Sequence, residues 1–171
     1  MLPRLEKKLM ERQAFEVHLQ AYIVKCLGKG LNPSLDCAIL DGCPLEWLGN
    51  EVYCGVGMRK IDIAISLVQR NQRVIVPIEL KSRKADPSDV EQIQRYVEWL
   101  RQYYIPNRQS DIQPILLSQP YTHRTENGYR DLLEAFAVFN RANCSDCNPL
   151  RYIEYTLEDH TLSFERITYT D

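Results

Sequence analysis

Lys60-Ile61-Asp62-Ile63-Ala64-Ile65-Ser66-Leu67 and Val74-Ile75-Val76-Pro77-Ile78-Glu79-Leu80-Lys81 are two runs rich in Ile and Val, separated by a short polar break. Alternation and β-branched content predict two strands, paired as a hairpin around Arg70-Asn71-Gln72-Arg73. In the first run, the period of two puts the isoleucines and Leu67 on one face and Asp62 on the other, beside only Ala64 and Ser66. In the second, Val74, Val76, Ile78 and Leu80 share a face, while Glu79 and Lys81 project from the opposite one. If the polar faces align, Asp62, Glu79 and Lys81 converge as two carboxylates and an ammonium on a β scaffold. The plain reading of such a trio is a solvated, ion-paired face. The chemical reading is that two carboxylates and a strand carbonyl suit Mg²⁺, which keeps waters and binds substrate phosphate. A nearby lysine then orients the attacking water or neutralises transition-state charge, which describes phosphodiester hydrolysis.

Outward from this pair, residues 4 to about 28 read as one amphipathic helix with Leu5, Leu9, Leu19, Ile23 and Leu27 on one stripe, stopped by Gly28 and Gly30. Glu16 lies close to that stripe, so its carboxylate points to the core side and needs a metal, a water or a cation to face. Residues 31–50 read as irregular, and residues 51–54 as a first strand. Asp86-Pro87 is a helix start, Asp as N-cap and Pro at the first helical position, with the helix running to about Tyr104. On it, Gln92 and Tyr96 stand one turn apart and share a face with Trp99 and Tyr103. Residues 112–117 read as a strand, 129–142 as a helix, and 150–156 with 162–167 as a closing hairpin. The order α-βββ-α-β-α-ββ predicts an α/β fold with a mixed sheet flanked by helices. A single domain over residues 1–171 is expected, since nothing resembles a linker.

Asp62 and Glu79-Leu80-Lys81 resemble the core of the PD-(D/E)xK nuclease superfamily residue for residue. The surroundings sharpen this: Gly57-Met58-Arg59-Lys60-Ile61-Asp62-Ile63, then residues 74–81, then Gln92-Ile93-Gln94-Arg95-Tyr96-Val97-Glu98-Trp99 are similar to the C-terminal nuclease domain of NucS/EndoMS endonucleases. Glu16-Val17-His18-Leu19-Gln20-Ala21-Tyr22-Ile23 resembles that domain's first helix. The resemblance covers residues 10–105 well and the tail loosely. It implies a restriction-endonuclease-like fold and a Mg²⁺- or Mn²⁺-dependent deoxyribonuclease. Asp62, Glu79 and the Leu80 carbonyl would hold the metal and Lys81 would position the water. Gln92 would touch the metal-bound water or phosphate, Tyr96 would pack on or bond the lysine, and Glu16 would help hold the metal or its waters. Products with 5′-phosphate ends are implied, and a double-strand break would require a homodimer. Two departures stand out. Pro77 lacks a backbone donor in what should be a central strand, so a bulge or an unpaired edge is required there. The family's N-terminal dimerisation and DNA-binding domain is not expected among these residues, so mismatch recognition is not carried over.

The chain of 171 residues is 44% hydrophobic and 26% charged with net charge −2, the composition of a folded domain with no global attraction for polyanions. DNA binding must then come from a local patch, and Arg59, Lys60, Arg83, Lys84 and Arg95 supply it. A charged loop after a strand is the plainer alternative. No window approaches the roughly 18 apolar residues of a membrane span, so a cytoplasmic protein without membrane contact is expected, its six cysteines thiols. Cys144-x2-Cys147 has the spacing of half a zinc site, and Cys37-x5-Cys43 could supply the rest, but one such pair is a weak signal. Beside the nuclease stand two other classes: a catalytically inactive nucleic-acid-binding or assembly module on the same fold, and a zinc-stabilised interaction protein.

Overall fold

The structure is a computed structural model, which describes residues 16–55, 60–104, 108–158 and 161–169. Among the described residues, four helices, α1 (Glu16–Cys26), α2 (Pro33–Leu40), α3 (Pro87–Tyr103) and α4 (Asn127–Ala142), flank a sheet of six strands. These are β1 (Leu45–Tyr53), β2 (Lys60–Gln69), β3 (Gln72–Lys84), β4 (Ile115–Gln119), β5 (Arg151–Glu158) and β6 (Thr161–Ile167), and they lie in sequence order across the sheet. β2 runs antiparallel to its neighbours β1 and β3, β3, β4 and β5 are parallel, and β5 and β6 antiparallel, giving the mixed α/β sheet that the element order implies. Among the described residues no helix is long and apolar enough to cross a membrane.

The alternation of β3 builds two layers. Val74, Val76, Ile78 and Leu80 face a core shared with α1 and α2, while Ile75 belongs to a second core under α3 and α4. β2 keeps this pattern from Ile63 to Leu67 but not at its start. Ile61 packs with Ala64 and Tyr96 on the α3 side rather than with Ile63, which corrects the simple alternation read from the sequence. The two-residue turn Arg70-Asn71, both at positive φ, closes the hairpin with Gln69 opposite Gln72. Such a turn matches the strands' twist.

Pro77 sits in the middle of the sheet, opposite Ala64, with no bulge in the β2–β3 register. Ile75 turns its carbonyl to the N–H of Gln113, so by alternation the Pro77 nitrogen faces that same side. There the parallel ladder to β4 starts only at Ile78–Ile115, after an isolated bridge at Ile75–Ile112. The missing donor falls in that interval, so the proline is accommodated neither by a bulge nor at a sheet edge, as read from the sequence, but by a gap in the ladder to β4.

Residues 31–50 are not irregular, as read from the sequence. Asn32 caps α2, its side chain accepting from Leu35 N–H at 3.0 Å, with Pro33 at the first position. This repeats the Asp86-Pro87 signature one element earlier. β1 likewise starts at Leu45 rather than Glu51, which sits at φ 50° inside the strand. The predicted first helix is described only from Glu16 onward; its earlier residues, like Arg59 and His160, lie outside the described residues.

Candidate active site

The site forms where β2 and β3 part. Their ladder ends at Ile63–Ile78, and one residue beyond it Asp62 takes over as acceptor: its Oδ2 receives the Leu80 N–H at 2.9 Å. Strand divergence thus leaves a backbone donor that a carboxylate satisfies, which holds Asp62 beside Glu79 and Lys81. Glu79 is fully buried. Its Oε1 accepts from Lys81 Nζ at 2.5 Å, and its Oε2 from the Tyr96 hydroxyl at 2.6 Å. The three residues therefore meet, Glu79 and Lys81 through the alternation of β3 and Asp62 through its bond to the Leu80 N–H.

Lys81, only 8% exposed, has further acidic neighbours. Asp89 Oδ1 lies at 3.7 Å and Glu16 Oε2 at 4.0 Å from its Nζ. Burial works against the ammonium, but Glu79, Glu16 and Asp89 outweigh it and raise the lysine pKa. Glu79 is pushed up to about 7, first by burial and then by the charge of Asp62. Asp62 is raised too, by burial, against the Leu80 N–H and Lys81. The site holds more negative than positive charge.

Tyr96 is placed differently from the sequence reading. Its hydroxyl contacts Glu79 and the Lys60 carbonyl, at 2.6 and 2.8 Å, and accepts from Gln92 Nε2 at 2.8 Å; no bond joins it to Lys81. The reason is helix geometry: Gln92 and Tyr96, one turn apart, form a chain that ends on the deeper carboxylate. Gln92 therefore braces the tyrosine. Burial, then Glu79, raises the Tyr96 pKa, so its hydroxyl stays protonated.

Two residues of the site were not singled out in the sequence. Asp89, 2% exposed, closes the α3 capping box by accepting from Asp86 N–H at 2.8 Å, and binds Arg83 with both oxygens at 2.9 and 2.8 Å. Its signal was the acidic residue three positions after the N-cap. Gln20, one turn beyond Glu16, donates to the Asp62 carbonyl at 2.7 Å, tying α1 to β2.

The cationic residues nearby are partly committed. Lys60 pairs with Glu51 at 2.8 Å and lies over the Tyr53 ring. Arg83 pairs with Asp86 and Asp89, and Lys84 with Glu126 at 2.8 Å. Arg95 is exposed on α3 and makes no ion pair among the described residues. Of the six cysteines, Cys37 and Cys144 are exposed and Cys26, Cys54 and Cys147 buried. Among the described residues no three His, Cys, Asp or Glu side chains come together at metal-binding spacing. The zinc reading thus gains no support from geometry.

Several solved structures are similar. A repair endonuclease from Pyrococcus abyssi is 26% identical over 71% of this chain and 43% of its own, with a TM-score of 0.45. EndoMS without DNA is 24% identical over 71% of this chain and 42% of its own, at 0.41. EndoMS in complex with double-stranded DNA is 28% identical over 58% and 35%, at 0.37. This chain spans less than half the length of each. No curated protein matches it. Residues 52–139, just over half of the chain, match the model of the endonuclease NucS C-terminal domain. They include Asp62, Glu79, Lys81, Asp89, Gln92 and Tyr96, and the chain belongs to that family.

Proposed function

We propose that this chain is a metal-dependent DNA endonuclease that hydrolyses phosphodiester bonds. The observation that carries the reading is the excess of carboxylates around one ammonium at the point where β2 and β3 part: Glu79, Asp62 and Glu16 share Lys81, while Asp89 is also held by Arg83. A divalent cation fits this group: it would relieve the like-charge repulsion that raises Glu79 and Asp62, and the donors are all oxygen. Asp62, Glu79 and the Leu80 carbonyl would hold Mg²⁺ or Mn²⁺, with waters completing the shell, as Mg²⁺ prefers. When bound, the ion supplies an activated water and neutralises charge on the phosphate oxygens.

The protein's own groups do the rest. Lys81, kept protonated by Glu79, Glu16 and Asp89, presents positive charge to the scissile phosphate as its oxygens gain charge. Tyr96, braced by Gln92, fixes the far oxygen of Glu79, so the carboxylate keeps one orientation. Glu16 flanks the ammonium from α1 and orders nearby water. Lys60, Arg83, Lys84 and Arg95 contact backbone phosphates, the first three by exchanging carboxylate partners for phosphate, and Arg59 is assigned the same role from its place in the sequence. DNA as substrate rests on the family and on the DNA complex of EndoMS. One site cuts one strand, so a double-strand break takes a homodimer.

The test is incubation of the purified protein with labelled single-stranded, duplex and branched DNA in Mg²⁺, Mn²⁺ or EDTA. Metal-dependent cleavage leaving 5′-phosphates, absent in Lys81→Ala although DNA still binds, is the expected result. Binding without cleavage by the wild type under every condition would leave the rival module, which keeps the fold without turnover.

A further inference from the structure

A cavity of about 480 Å³ opens at the end of the sheet opposite the carboxylates, among the C-terminus of α2, the ends of β2 and β6 and the starts of β3 and β5. Val74 of its wall is seven residues along β3 from Lys81, about 23 Å away. Nothing in the nuclease reading uses it.

Two guanidiniums line it, Arg151 and Arg166. The Arg151 side chain is 8% exposed and poorly matched for so buried a charge. Nη1 donates to the carbonyls of Ala38 and Ile39 at 3.3 and 2.9 Å, Nη2 reaches Asp41 Oδ2 only at 3.2 Å, and the buried Nε has no partner among the described residues. Arg166 Nη1 approaches the same Asp41 oxygen at 3.4 Å. Two cations thus share one half-exposed carboxylate at long range, where a buried guanidinium ordinarily takes a close bidentate anion. Burial, then Arg166, pulls the Arg151 pKa down, with Asp41 opposing. On the same wall the Gln69 and Asn148 carboxamides make no hydrogen bond among the described residues. The volume lies in the range of small-molecule sites and exceeds what a bare oxyanion needs.

We propose that this cavity binds a phosphomonoester of mononucleotide size, its dianion held by Arg151 and Arg166 in place of Asp41 and its organic part contacted by Gln69 and Asn148. A dianion suits the two guanidiniums better than a carboxylate does, because it can accept from both at once. Asp41 then acts as a weak internal competitor. Its own backbone, at φ 53°, is one that Asn also tolerates, so Asp41→Asn removes the competitor without straining the turn.

The test is calorimetric titration of the full chain in EDTA with dAMP, deoxyadenosine and inorganic phosphate. dAMP should bind saturably, and at least about 10-fold more tightly than either other probe. Arg166→Gln, at a half-exposed position, should weaken dAMP by about 10-fold or more, the scale of one lost charge-assisted bond, while Asp41→Asn should tighten it several-fold. dAMP should also slow alkylation of Cys43, which lines the cavity, and leave that of Cys144 unchanged. Absence of saturable dAMP binding, weaker binding in Asp41→Asn, or unaltered Cys43 alkylation at saturation would each overturn the site. Inorganic phosphate binding as tightly as dAMP would overturn the nucleotide assignment.

Discussion

Glu79 on β3 and Glu154 on β5 are both buried carboxylates on parallel strands, and the protein treats their charges in opposite ways. Glu154 receives a matching cation: Arg124 donates one N–H to each oxygen, both at 2.6 Å, and the guanidinium lies over the Tyr129 ring. Glu79 shares one lysine with Asp62 and Glu16, Asp89 having Arg83 besides, and its second oxygen is held only by a neutral hydroxyl. The first arrangement is closed and structural. The second is short of positive charge, which is the condition in which a carboxylate pair takes up a divalent cation. Buried charge alone does not mark an active site here; unmatched charge does.

The sharpest way to break this contrast is to remove each cation. Lys81→Ala should lower the cleavage rate by about 10³-fold, the scale of losing a preorganised charge at the reacting phosphate, and cost less stability than loss of Arg124, because Glu79, already raised to about 7, takes a proton once its cation is gone. Arg124→Ala should keep metal-dependent cleavage at a temperature where it remains folded, but lose about 3 kcal/mol in urea unfolding, because Glu154 is left buried and unpaired. If the two variants exchanged phenotypes, the assignment of roles would be reversed.

A pH series sharpens it further. The Glu79 pKa is higher in the folded protein, about 7, than in the unfolded chain, so between those two values the folded state holds the extra proton. Stability of the metal-free protein is then complete below about pH 4.5 and falls as pH rises through 7, by up to about 3 kcal/mol. Denaturant titrations in EDTA from pH 4 to 9 should show this slope. Glu79→Gln should flatten it, and Mg²⁺ should restore stability above pH 7 in the wild type but not in that variant.

Smaller effects follow at the supports. Tyr96→Phe strips a buried partner from Glu79 and from Gln92, and should cost about 1–2 kcal/mol together with a fall in cleavage rate of about 10-fold. Asp86→Ala removes the α3 cap and an exposed ion pair with Arg83, and should cost about 1 kcal/mol with little change in rate, since Asp89 keeps its bonds to Arg83.

Much of this site was legible in the order of residues, for local reasons. Strand alternation put Glu79 and Lys81 on one face of β3 whatever the rest of the chain did, and the α3 cap and helical spacing stacked Gln92 on Tyr96. What was missed falls into two kinds. Asp89 and α2 carried local signals of the kind already used: an acid at the third helical position, and Asn-Pro at a helix start. Gln20 on Asp62, Ile61 in the second core, the Tyr96–Glu79 bond and the Arg151 cavity carried none.

The sequence by itself determined which side chains share a face and where helices begin, because alternation, helical spacing and caps act within about four residues. Only the tertiary structure decided which carboxylates share a cation, where Pro77 finds room, and how far β2 and β3 stay paired before parting around Asp62. Those outcomes depend on sheet order and register, which join residues far apart in the chain. A charge is matched or left unmatched only once its distant neighbours are in place.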